Sequence, residues 1–286
     1  MRFRPSRRAA IGAILTGTAL LAGCTSGPVE DPGFVYVSMG DSFTSGPGID
    51  PILDEDCGRS ERNYPQLLAA ELEVDQVVDA SCGSAGTFAI TRTQETPSGS
   101  TVPPQIDRVD ETTDLVTISL GGGDAGLYAA LTTQCIRFGG DAGSPCTDEL
   151  DDAADDPAEL LEPTIANLVR GVERIRERAP DAQVVLVGYP HLLDEDRACE
   201  VFPLADGDQE LPRLIVDLQN DALRAAAEQA GVPFVDVAAE IRGHGVCSED
   251  PWISGIDGAA PFHPLEPGMR RVAELVAQTV RESAPA

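Results

Sequence analysis

Apolar-rich runs recur at Phe34–Met39, Val74–Val78, Leu115–Leu120, Val184–Val187 and Pro233–Val237, each flanked by polar or turn-forming residues. Their length and β-branched content predict short strands, buried on both faces. Ile165, Leu168, Val172 and Ile175 then recur at steps of three and four, as the buried face of a helix does. Leu214–Ala230 and Gly268–Val280 carry similar helical patterns. Strands alternating with helices over this length predict an α/β fold with a central parallel sheet covered on both faces. No repeat and no long linker divides the strands, so residues 34–286 read as a single domain. Gln94–Pro104 and Asp148–Pro157 read as exposed loops. The carboxylates of the second lack the EF-hand spacing and its glycine, which argues against a calcium site.

The N-terminus breaks the alternating pattern. Arg2, Arg4, Arg7 and Arg8 precede an apolar stretch, Ile11–Ala22, that is too short to span a bilayer and reads as an export signal over residues 1–23. Leu21-Ala22-Gly23-Cys24 is similar to a bacterial lipobox, which implies lipidation of Cys24 and a membrane anchor on the extracytoplasmic face, or secretion if the signal is simply cleaved. Residues 24–33, rich in small residues and proline, read as a tether. Six further cysteines remain: Cys57, Cys82, Cys135, Cys146, Cys199 and Cys247. An even number in an exported chain points to disulfides, and sequence leaves their pairing open. There is no CxxC pair and no zinc-ligand spacing, so neither a metal nor a cofactor is expected.

The formal charge is −28, and loss of the four signal arginines takes it to −32. Such acidity argues against nucleic-acid partners and against attraction to anionic lipid headgroups. A monomer with a solvated acidic surface is expected.

The first strand ends in Gly40-Asp41-Ser42, a turn that delivers one hydroxyl to the carboxyl edge of the sheet, where open α/β sheets place their chemistry. A serine needs a base, and the chain has three histidines: His191, His244 and His263. His191 follows a strand and His244 lies beside Cys247, both suited to structural roles. His263, in Phe262-His263-Pro264 before the last helix, suits a loop at the same edge as Ser42. Trp252, the one tryptophan, is expected either to pack near this edge or simply to fill the core.

FVYVSMGDSFTSG (34–46), CGRSERNYP (57–65), DASCGSAGT (79–87), LVTISLGGGDAGL (115–127), PWISGI (251–256) and FHP (262–264) with Gly268 occur in one order. Together they resemble the SGNH or GDSL hydrolases of the actinobacterial secreted esterase and lipase type, over nearly the whole chain beyond the signal. The resemblance implies a flavodoxin-like three-layer α/β/α sandwich and hydrolysis of small esters or lipids through an acyl-enzyme. Ser42 would be nucleophile and His263 base. The oxyanion donors would be the Ser42 N–H, a backbone N–H of the second block (Ser84, with Gly83 or Gly86 as alternatives) and a side chain of the third block. It also implies disulfides between cysteines neighbouring in order: Cys57–Cys82, Cys135–Cys146 and Cys199–Cys247.

Three positions depart from the family pattern. Ser84 stands where a glycine is frequent. Gly123 stands where the third block usually has the Asn whose amide faces the oxyanion. Ala260 stands where an Asp often orients the histidine; the Ala260 carbonyl is expected to take that role, with Asp257 as the rival. The alternative to a working esterase is a weak or inactive lipoprotein of the same fold that binds acylated glycan or lipid.

Overall fold

The apolar runs pair side by side into one parallel sheet. In the computed structural model, β1 (Val35–Gly40), β2 (Gln76–Asp79), β3 (Leu115–Ser119), β4 (Gln183–Val187) and β5 (Phe234–Val235) lie in the order β2-β1-β3-β4-β5. Every neighbouring pair is parallel, with Val37 opposite both Val78 and Val116. The structure describes residues 32–151, 159–193 and 199–283, and the part from Pro32 on forms one compact unit. The signal, Cys24 and most of the tether lie outside the described residues.

Side chains alternate across the sheet with the two-residue period of a strand. Val37, Met39, Val116, Ile118, Val184 and Leu186 face one layer, where α2 (Glu162–Arg178) and α3 (Leu211–Ala230) contribute Leu168, Val172, Ile175, Val216 and Leu223. Tyr36, Leu115, Val185 and Val187 face the other, covered by α1 (Tyr64–Glu71) and α4 (Glu266–Glu282) through Leu68, Met269, Val272 and Val276. The result is the three-layer α/β/α sandwich expected from the strand and helix pattern. A third apolar cluster, with Leu127, Leu131, Phe202, Ile253 and Phe262, lies beneath the long excursions at the carboxyl edge. Disulfides Cys57–Cys82, Cys135–Cys146 and Cys199–Cys247 tie those excursions together.

Several local expectations need correction. Each of the four named helices has proline in its first turn, so α3 and α4 begin at Leu211 and Glu266, before the points where the periodicity becomes regular. Proline is preorganised for that position and loses no hydrogen bond there. The last strand stops at Val235 because the Asp236 carboxylate accepts the Ala239 N–H (3.0 Å) and starts a short helix, Val237–Glu240. Gln94–Pro104 is not all loop: Gln94–Glu95 pairs antiparallel with Thr101–Val102. The acidic run begins inside a helix, Pro145–Asp151, because the buried Asp208 carboxylate accepts the Cys146 and Thr147 N–H groups (2.9 and 3.0 Å) and caps it from a distance. Residues 152–158 lie outside the described residues.

Candidate active site

The strand order reverses direction between β1 and β3, which opens a crevice at their carboxyl ends. β1 delivers Asp41 and Ser42 there. Gln105 holds the strand end by accepting the Gly40 N–H (2.8 Å) and donating to the Gly40 carbonyl (2.9 Å). Asp41 caps the single-turn helix Ser42–Ser45, its Oδ1 accepting the Phe43 N–H (2.9 Å). Its Oδ2 accepts the Tyr189 hydroxyl (2.7 Å), which in turn accepts the Gly122 N–H (2.8 Å), while the Gly122 carbonyl accepts from Gln219 (2.8 Å). This buried chain joins the turn after β1 to the loop after β3. Burial raises the Asp41 carboxyl from 3.8 to about 7.

His263 reaches the crevice from the loop before α4, and its Nε2 lies 2.8 Å from Ser42 Oγ. Its Nδ1 lies 2.8 Å from the Pro261 carbonyl. A carbonyl can only accept, so Nδ1 carries the proton and Nε2 presents its lone pair to the serine. The orienting group is therefore neither of those expected from sequence. The Ala260 carbonyl accepts the His263 backbone N–H instead (3.4 Å), and Asp257 is an exposed residue. Phe262 adopts a left-handed conformation (φ 63°), which bends the loop so that the nearer carbonyl meets the ring. Burial holds the imidazole below its usual 6.5, so the neutral ring is favoured. The ring packs against Phe43, with centroids 5.2 Å apart.

His191 and His244 lie elsewhere: His191 pairs with Asp217 (2.7 Å), and His244 stacks on Trp252 with centroids 3.6 Å apart. Trp252 is half-buried and packs against the layer that holds α1 and α4.

The second and third blocks meet beside Ser42. Gly83 is excluded as a free donor because its N–H is committed to the Cys57 carbonyl (2.9 Å). Ser84 sits at φ 63°, the conformation a glycine would adopt without strain, and its N–H has no acceptor among the described residues. The three glycines after β3 differ. A Cβ on Gly121 would lie 2.9 Å from Thr164, and one on Gly122 would lie 3.0 Å from the Tyr189 ring. On Gly123, at an ordinary φ of −85°, it would meet nothing nearer than the Ala85 carbonyl at 3.5 Å. The fold thus demands glycine at Gly121, whose φ is 128°, crowds a side chain at Gly122 and leaves Gly123 free. Asp124 supports both blocks, accepting from Thr87 N–H (3.0 Å), Thr87 Oγ1 (2.5 Å) and Thr164 Oγ1 (2.8 Å). Three of the four described non-glycine residues with positive φ, Ser84, Ala125 and Phe262, lie in these loops, the concentration of strain expected at a functional site.

Residues 38–271 match the profile of the GDSL-like lipase/acylhydrolase family. The chain belongs to this family. Lipase 2 of Streptomyces coelicolor is 35% identical over 93% of this chain and 92% of its own length. Among solved structures, an extracellular lipase from Streptomyces rimosus superposes with a TM-score of 0.71 at 28% identity, covering 86% of this chain and 99% of that one. A phospholipase A1 from Streptomyces albidoflavus gives 0.68 at 25% identity, covering 88% and 100%. This GDSL-family chain is accordingly a carboxylic ester hydrolase. Among its described residues no group of His, Cys, Asp or Glu gathers to hold a metal, and no helix is long and apolar enough to cross a membrane.

Sequence reasoning missed Pro261, Tyr189, Gln105 and Gln219. A carbonyl is common to every residue and leaves no signal. Tyr189 did leave one: it lies two residues past the fourth apolar run, at the edge where Ser42 lies.

Proposed function

We propose that this GDSL-family hydrolase cleaves acyl esters with Ser42 as nucleophile and His263 as general base, a dyad supported by a main-chain carbonyl. One observation carries the reading: Nε2 faces Ser42 Oγ at 2.8 Å while Nδ1–H is bound to the Pro261 carbonyl. As Oγ attacks the ester carbonyl carbon, its proton passes to Nε2 and the carbonyl oxygen becomes an oxyanion. The N–H groups of Ser42 and Ser84 serve as donors to that oxygen in this proposal, with Gly86 as the alternative to Ser84. Collapse of the intermediate breaks the bond to the alcohol oxygen, which leaves with the proton from Nε2. Water then loses a proton to Nε2 and attacks the acyl-enzyme; the acyl–Oγ bond breaks, Nε2 returns the proton to Oγ, and the carboxylic acid leaves with Ser42 and His263 restored. Gly123 supplies no side-chain amide, and an absent oxyanion donor typically costs about 10²–10³ in kcat. A slow esterase is the expected outcome.

The names of the relatives, lipase and phospholipase A1, support a lipid ester as the physiological substrate class. Export and anchoring through Cys24 are part of the same proposal and rest on the arginine-rich start, the short apolar stretch and Leu-Ala-Gly-Cys. The main test uses oxidised protein and a serine-directed fluorophosphonate. Labelling and hydrolysis of short p-nitrophenyl esters, both lost in Ser42→Ala and His263→Ala, support the dyad. An active Ser42→Ala would refute Ser42 as the nucleophile, and a wild type that neither labels nor hydrolyses favours the lipid- or glycan-binding alternative. Cys24→Ser should move the protein out of the membrane fraction; retention there would end the anchor reading.

A further inference from the structure

Tyr128 follows the glycine loop, and its side chain crosses to the histidine loop, where the hydroxyl donates to the Phe262 carbonyl at 2.6 Å. Its ring meets Phe43, the residue after the nucleophile, edge to face at 5.2 Å, and His263 in the same manner at 6.3 Å. One side chain thus packs against His263 and against the residue that follows Ser42, while its backbone continues the loop that carries Gly123.

The contact falls at the strained point of the loop. Phe262 is 1% exposed and left-handed, a conformation that disfavours side chains with a Cβ. Its ring is fixed against Phe202 at 4.8 Å, and its N–H donates to the Ser254 carbonyl at 2.9 Å. The Ser254 N–H donates in turn to the His263 carbonyl at 2.9 Å. These contacts anchor the loop on its outer side. On the inner side the Tyr128 hydroxyl takes the one carbonyl between Pro261, which holds the imidazole, and the histidine itself. If that carbonyl swings away, the peptide linking Phe262 to His263 rotates, and the ring loses its alignment with the Pro261 carbonyl and Ser42 together.

We propose that Tyr128 is a positioning residue for the general base: its hydroxyl locks the left-handed Phe262 peptide and so fixes the ring and tautomer of His263. The inference rests on the reading of His263 as base and adds what holds that base in the absence of a carboxylate. Burial and the nearby Asp41 push the phenol well above its usual 10, so the hydroxyl remains a donor across the working range of pH.

Tyr128→Phe keeps the ring and removes only the hydroxyl. In folded variant protein, kcat on p-nitrophenyl acetate should fall about tenfold with KM within about twofold, the scale of one lost hydrogen bond felt at the reacting groups. Fluorophosphonate labelling should slow in parallel. Nitrogen-15 spectra of the imidazole should change from a single Nδ1–H tautomer to a mixture with the Nε2–H form. Thr132→Val, which deletes a hydrogen bond to the Tyr128 carbonyl (2.8 Å) and spares the phenol, controls for general loosening and should leave kcat unchanged. Wild-type kcat and tautomer in Tyr128→Phe, or an equal loss in Thr132→Val, would overturn the proposal. If the wild type itself proves inactive, the dyad reading fails separately. A tautomer change in Tyr128→Phe would then still support the brace, and an unchanged spectrum would refute it.

Discussion

The two halves of the candidate site are built by different means. Ser42 stands at the end of a central strand, and buried side chains fix its surroundings: Gln105 on the strand end, Asp41 on the turn, Tyr189 and Gln219 on the facing loop. His263 stands on an irregular loop fixed largely by main-chain groups: the Pro261 carbonyl on its ring and the Ser254 pair on its backbone. Among the described residues only the Tyr128 hydroxyl donates from a side chain to the strained peptide. A nucleophile placed by a strand inherits the rigidity of the sheet. A base placed by a loop depends on a few local hydrogen bonds, and so carries the greater sensitivity to small changes.

The largest expected effect tests whether the rigid half limits the rate. Gly123→Asn adds a side chain where the backbone is ordinary and the nearest heavy atom to a Cβ is 3.5 Å away. If the missing amide is the deficit, kcat should rise by up to about 10²-fold. The check is steady-state kinetics on a short p-nitrophenyl ester. An unchanged kcat would move the limitation to the histidine half or to another donor already in place.

A smaller effect separates stability from catalysis. Tyr189→Phe leaves the Asp41 carboxyl without its hydroxyl donor and the Gly122 N–H without its acceptor, both inside the protein. The expected cost is about 1–3 kcal/mol, or a Tm lowered by several degrees. Tyr128→Phe, at a half-buried residue beside the crevice, should lose less stability and more rate. Equal losses in both quantities for the two variants would remove the distinction between a side-chain-built half and a backbone-built half.

The same distinction decides what the sequence could reveal. Five apolar runs and three helical patterns were enough for the sheet and its layers, because burial on both faces leaves a compositional trace. The periodicity places two helix starts late, at Leu214 and Gly268, because the first turns that hold Pro212 and Pro267 carry no periodic signal although proline is favoured there. The meeting of Ser42 with His263 was legible because both sit at the sheet's carboxyl edge in sequence and three histidines offered little choice. The orienting carbonyl was not legible: its place depends on the φ of Phe262, which a phenylalanine does not advertise. The hairpin at Gln94 was hidden for a related reason. The buried Gln94 side chain donates to the Gly83 carbonyl (2.6 Å), a long-range contact within a locally polar stretch.

The smallest effect concerns pH, where one cause acts on both halves in opposite directions. Burial favours the neutral form, so it lifts the Asp41 carboxyl from 3.8 to about 7 and lowers His263 from 6.5. For the base, a lowered value keeps Nε2 unprotonated at mildly acidic pH, and the acid limb of kcat/KM should fall below 6.5. A limb at or above that value would mean that the imidazole is solvated or paired with a charge. For Asp41 the sign concerns stability. A carboxyl raised on folding contributes fully below its unfolded value near 3.8 and loses that contribution as pH rises through about 7. The neutral Asp41→Asn variant undergoes no such loss, so its Tm relative to wild type should climb between those two values and then level. A flat difference would show that folding does not shift Asp41, which would then ionise near 3.8 in both states and stay charged through the range where His263 titrates. The rigid half of the site would then keep one state while the loop-borne base alone titrates.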